Sequence, residues 1–294
     1  MKKTLLLMLL LPASVAAQKS KVPVSTTWDK TITVVPDQIT NGKYRLPAYS
    51  VSIFETDGPA ALEMLRNEYK AISAQVSGKD PLKAAGCVLP EIDPTPLLVM
   101  ARAETDKRAN LAKLTICFAL NDSTAATNDE AMKAAVRNVG VRLNRGVVSK
   151  QVTAQEKLIA DTRTKHQSAQ GAAASNQRKI DTANGEIAKI QAKKGKLEAE
   201  KAGIEHDIAV LDEKYKRTQD VKDLDRLNKA RKRLAGNGTE TAKLSQAEAK
   251  QKATISKLQG NVGQASAEVD THSSNIEQHQ QVLDALRRKL AAIQ

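Results

Sequence analysis

The stretch that most constrains this chain is residues 244–293, where apolar side chains recur at alternating spacings of three and four. With Ile255 opening the pattern, one row holds Ile255, Val262, Val269, Ile276, Leu283 and Leu290, and the other Leu258, Ala265, His272, His279, Leu286 and Ile293. Such a pattern keeps one stripe on the same side of an α-helix over many turns, and a matching helix is what buries it. A second helical run, residues 150–234, precedes it across Ala235-Gly236-Asn237-Gly238-Thr239. Glycine weakens a helix interior, so these five residues are expected to turn an antiparallel coiled-coil hairpin with helices over about 147–234 and 242–293.

The first helix carries a seam of Ile180, Ala183, Ile187, Ile190, Leu197, Ile204, Ile208, Leu211 and Tyr215, interrupted by Lys194 and Lys201. Past Tyr215 the phase slips, which suggests a stammer near Thr218. A fold at Asn237 or Gly238 places His272 and His279 near Gly203 and Lys196, and lets the return helix reach only to about Ala183. Residues 147–180 then need the globular domain or a second copy as partner. The polar layers Lys194, Lys201, His272 and His279 are expected to set register at some cost in stability. Imidazoles in a seam also lead us to expect a response to pH. Two histidines seven residues apart on one helix, with no carboxylate in their layers, do not make a metal site, and no metal or other cofactor is expected.

The chain opens Met1-Lys2-Lys3, continues with an apolar run from Leu5 to Leu11, and then reads Pro12-Ala-Ser-Val-Ala-Ala-Gln18. This is the pattern of a secretory leader, with cleavage expected after Ala17. The apolar run is far shorter than the roughly 20 residues that span a bilayer, and no later segment approaches that length. Export to a periplasm or cell envelope is the expectation, with no transmembrane segment in the mature chain. In such an oxidising compartment the only two cysteines, Cys87 and Cys117, are expected to pair as a disulfide.

Formal net charge is +13. Residues 18–149 hold 17 Lys/Arg against 14 Asp/Glu, and residues 150–294 hold 27 against 19, so the excess lies on the helical part. Its densest cluster is Lys222, Arg226, Lys229, Arg231, Lys232 and Arg233, offset by Asp223 and Asp225, expected at the tip beside the glycines. An anionic envelope surface is the partner such a patch would suit. Aromatic residues are 2% of the chain, too few for base-stacking platforms, and no nucleic-acid partner is expected.

Residues 18–146 alternate in a way that predicts a small α+β domain. Lys30–Val35 reads as a short strand that Pro36 stops, and Tyr44–Glu55 as a core strand with Tyr49, Val51 and Ile53 on one face. Asp57-Gly58-Pro59 opens a helix carrying Ala61, Leu62, Leu65, Tyr69 and Ile72, expected to end near Gly78. A short strand within residues 81–90 follows. Leu97–Glu104 and Leu111–Leu120 then form a hairpin in which Cys117 points away from Leu114, Ile116 and Phe118. Met132, Ala135, Val136, Val139 and Leu143 mark a last helix that runs on into the hairpin. An antiparallel or mixed sheet with two helices on one face is the expected arrangement, a ferredoxin-like split βαβ being one version of it.

Catalytic motifs do not emerge. No phosphate-binding glycine loop, nucleophile elbow or HExxH stretch occurs, and all four histidines, His166, His206, His272 and His279, lie on the helical part. The close carboxylate pairs of the globular part, Glu55 with Asp57 and Glu104 with Asp106, sit beside turns, where solvated acids are commonplace. A leader, a first strand at Tyr44–Glu55, a hairpin at Met100–Leu120 and an ending of Val282-Leu-Asp-Ala-Leu-Arg-Arg-Lys-Leu together resemble a group of uncharacterised exported Bacteroidota proteins. The resemblance implies an N-terminal α+β domain followed by a coiled-coil hairpin. A non-enzymatic interaction or scaffold protein is therefore expected, with a protein partner or self-association through the coiled coil. The alternatives are a regulator of an envelope enzyme such as a cell-wall hydrolase, and a head domain that binds a small ligand.

Overall fold

The computed structural model describes residues 25–294. The leader and its cleavage site lie outside the described residues. The described residues divide into two compact units, one made of those up to Glu156 together with Gln281–Gln294, the other of Lys157–Gln280.

The first unit is α+β. Its seven strands are β1 (Val34–Asn41), β2 (Tyr44–Phe54), β3 (Gln75–Ser77), β4 (Leu82–Cys87), β5 (Leu97–Asp106), β6 (Leu111–Asn121) and β7 (Thr124–Ala125), with helix α1 (Gly58–Tyr69) between β2 and β3. They form one antiparallel sheet in the order β1-β2-β6-β5-β4-β3, with β7 on β6, which is not the ferredoxin-like arrangement. Helix α2 (Asp129–Thr218) and helix α3 (Val221–Ala292) each lend one end to this unit.

Alternation places Tyr49, Val51 and Ile53 of β2, Leu97, Val99 and Ala101 of β5, and Leu114, Ile116 and Phe118 of β6 in one core, against Leu65 of α1, Val136 and Val139 of α2, and Ile293. Asp57 caps α1, its carboxylate accepting from the Ala60 amide at 2.8 Å. Gly140 permits close packing, since a Cβ there would lie 2.5 Å from Cγ2 of Val51. One turn on, buried Asn144 satisfies the end of β2, accepting from the Phe54 amide at 2.9 Å and donating to the Ser52 carbonyl at 3.0 Å.

The opposite face is closed by the sheet itself. Beyond Tyr49, β2 parts from β6, and β1 comes back within contact of β5 and β6. Asn41 ties this flap down by donating to the Asp122 carbonyl at 2.8 Å. The space beneath holds a second small core of Ile39, Leu46, Ala48, Met100, Cys117 and Ala119.

Local expectations fail in four places here. The first strand is Val34–Asn41 and runs through Pro36, because it is an edge strand whose outer side needs no amide donor. Helix α1 stops at Tyr69 rather than near Gly78, and β3 occupies the space between; Ile72 is 47% exposed. β7, two residues long, was not expected. The disulfide is absent: Cys87 and Cys117 are free, buried thiols in different cores on opposite faces of the sheet. Strand β5 runs between their strands, so their backbones are separated by about two strand spacings, roughly 9–10 Å, too far for a bridge.

The second unit is an antiparallel helical hairpin, α2 against α3. The reversal falls at Gln219–Asp220, not at the glycines. Gln219 takes φ 52°, Asp220 accepts from the Lys222 amide at 2.9 Å, and Gly236-Asn237-Gly238 continue as ordinary helix. Burial of α3 follows an unbroken four-three rhythm from Asp223 through Leu227, Ala230, Leu234, Asn237 and Thr241, and on to the positions read from Ile255 onward. Helix α2 answers with a matching rhythm from Ile159 through His166, Ala169, Ile180, Leu197, Ile204 and Leu211 to Tyr215. The earlier reversal lengthens the return arm by about five turns, so residues 157–180 are covered by α3 within this unit.

Candidate functional site

Three features of the first unit concentrate chemistry. A groove of about 480 Å3 has Tyr69, Leu89, Phe118 and Val139 among its apolar walls and Glu68, Glu91, Asn138 and Arg142 at its rim. Arg142 grips Glu68 at 3.1 Å, and burial pushes the Tyr69 hydroxyl well above the usual phenol range, which keeps it a neutral donor.

The second feature lies on the back face. Asp37 receives Lys113 Nζ at 2.7 Å and the Ser50 hydroxyl at 2.5 Å, and Ser50 and Thr115 share a hydrogen bond of 2.7 Å. Lys113 beside it, then Ser50, hold the Asp37 carboxyl far below the usual carboxylate range. So low a value makes Asp37 a poor base for the Ser50 proton, and the hydrogen bonds tie β1, β2 and β6 together.

The third is a buried ion pair. Lys289 Nζ, with no exposed side-chain surface, lies 2.7 Å from both Glu55 oxygens and donates to the Ser25 carbonyl at 2.7 Å, while Gln151 donates to Glu55 at 2.7 Å. Both expected carboxylate pairs are thus in structural use at one member or more: Glu55 here, Asp57 as a cap, and Asp106 accepting from the Arg108 and Ala109 amides.

In the hairpin, polar residues fall in the seam itself. Lys194 is half-buried and meets Glu248 at 3.1 Å; Gln191 and Lys252 reach the same carboxylate, and Lys252, then Lys194, lower it to about 2. Lys201 lies exposed beside Glu205 at 3.7 Å. Buried Asn237 donates to the Leu197 carbonyl at 2.8 Å. These contacts set a register that His272 and His279 also occupy, both half-buried, and that removes them from Gly203 and Lys196.

The basic cluster also differs from expectation. It sits on α3 in the turns after the reversal, and three of its cations are engaged: Arg226 with Asp223 at 3.5 Å, Arg231 with Asp212 at 3.2 Å, Arg233 with Glu200 at 3.6 Å. The last two cross the hairpin at flanking positions that select a pairing. Lys222 and Lys229, on the side of α3 that also carries Arg226 and Arg233, and Lys232 beside them stay exposed, and Lys229, Lys232 and Arg233 line a shallow hollow. Among the described residues no helix is long and apolar enough to cross a membrane, and no group of three or more His, Cys, Asp or Glu could hold a metal ion.

Sequence reasoning missed Asp37, Lys289, Asn237 and Glu248. Asn237 and Glu248 carried a local signal, their places in the extended rhythm. Compared with known proteins, the chain matches no protein family and no curated protein.

Proposed function

We propose that this is a non-enzymatic, exported interaction protein of the periplasm or cell envelope that acts through its helical hairpin. One observation carries the reading: the two helices saturate each other's seam, which leaves their outer faces for a partner, and α3 offers there an exposed cationic face of Lys222, Lys229 and Lys232. A self-paired coiled coil has no unmet apolar stripe to bury, so recognition rests on surface charge and shape. An acidic protein or anionic envelope polymer matches that face, and a regulator of a wall-active enzyme falls within the same reading.

The test is a crosslinking pull-down from envelope extracts with the full chain and with its Lys222→Gln/Lys229→Gln/Lys232→Gln variant. These side chains are exposed, so melting should be unaltered while capture falls at least several-fold. Equal capture by both proteins rejects the reading. The groove at Tyr69 favours a second one, a head that binds a small amphipathic ligand, because an apolar floor and a polar rim converge there. Ligand-induced stabilisation that survives the lysine variant but is lost in Arg142→Met would support it.

A further inference from the structure

Three of the four histidines, His166, His272 and His279, occupy seam positions, where each replaces an apolar side chain and weakens the layer. Two cross-hairpin contacts define how the layers meet. Asn237 reaches the Leu197 carbonyl, one turn before Lys201, and Arg231 reaches Asp212 beside Leu211. Carried along both four-three rhythms, that register sets Ile180 opposite Leu258, Ala169 opposite Val269 and His166 opposite His272. Both imidazoles are half-buried, and the small Ala169 side chain in the next layer favours a close approach of the two helix backbones there.

We propose that His166 and His272 form a two-histidine site for a borderline divalent cation, Zn(II) being the probe of choice. Imidazole nitrogen is the ligand such a cation prefers among the groups present, with metal–nitrogen distances of about 2.0–2.1 Å. Nearby charges offset one another: Arg163 and Lys165 lie beside His166, Glu268 and Asp270 beside His272. With no third His, Cys, Asp or Glu in place among the described residues, the remaining coordination positions belong to water or an incoming anion. The cation would clamp α2 to α3 across a layer that is otherwise weak. This site is independent of the cationic face and of any envelope partner.

The experiment titrates chelator-treated full chain with Zn(II) by calorimetry and follows thermal unfolding. One cation per chain and a rise in Tm of several degrees are expected, because binding to the folded state alone stabilises it. His166→Leu and His272→Leu should each abolish both effects while keeping the helical signal, since leucine suits a seam. His206→Gln and His279→Leu should leave them intact. In the wild-type chain, Zn(II) should protect His166 and His272 from diethyl pyrocarbonate and leave His206 reactive, a readout that needs no variant. No binding, binding unchanged in both leucine variants, or unprotected His166 and His272 overturns the proposal.

Discussion

Lys289 and Glu55, 234 residues apart in sequence, are joined through an ammonium 2.7 Å from both carboxylate oxygens. The side chain of Lys289 has no exposed surface and that of Glu55 has 20%. Removing one member strands the other charge. Lys289→Met should cost the first unit about 3 kcal/mol, whereas Glu55→Gln/Lys289→Met should cost clearly less. Urea midpoints of the three full-length proteins check this, and equal losses in the single and double variants would refute it.

Acid should act on both units through carboxylates held low. The folded-state value of Asp37 is depressed by Lys113 and Ser50, so the carboxylate stabilises above its unfolded value and that contribution fades as pH falls below about 4. Glu248, lowered to about 2, behaves alike between roughly pH 4.5 and 2. Asp37→Asn and Glu248→Gln should each be less stable at pH 7 and show a flatter decline from pH 5 to 2.5. Parallel curves for variant and wild type would contradict the assignment.

The thiols should be free and shielded. Burial pushes Cys87 up to about 11 and Cys117 up to about 12, so neither is a thiolate at neutral pH. Iodoacetamide should leave both unmodified in the folded chain and alkylate both in denaturant without any reductant. Mass spectrometry decides, and alkylation that needs a reductant would mean the thiols are bonded.

Gly236 and Gly238 lie in helix with nothing within 4 Å of an added Cβ. Alanine at each should stabilise the hairpin by about 0.5–1 kcal/mol. Had the chain turned there, the same changes would destabilise. Melting of the double variant tells the two apart.

Much of the sheet was legible because β2, β5 and β6 are long and rich in apolar and β-branched residues, and because Asp57-Gly58-Pro59 marks a helix start by its own chemistry. β3 and β7, of three and two residues, carry no periodicity to read. The reversal was misplaced for an energetic reason: two helical glycines cost little beside a continuous seam, while Gln219–Asp220 turns with neither glycine nor proline. The phase slip after Tyr215 was the trace of that turn. With the reversal displaced, every cross-hairpin partner was displaced, which hid the His166–His272 layer. Pairings such as Asp37 with Lys113 and Lys289 with Glu55 leave no local pattern at all.

Ile293, with no exposed surface, completes a core whose other members mostly come from residues 49–148. A chain that emerges amino end first therefore cannot finish its first unit until residues 281–294 have followed. Synthesis runs forward while assembly of this core closes last, and up to that moment the sheet presents an unfilled seat.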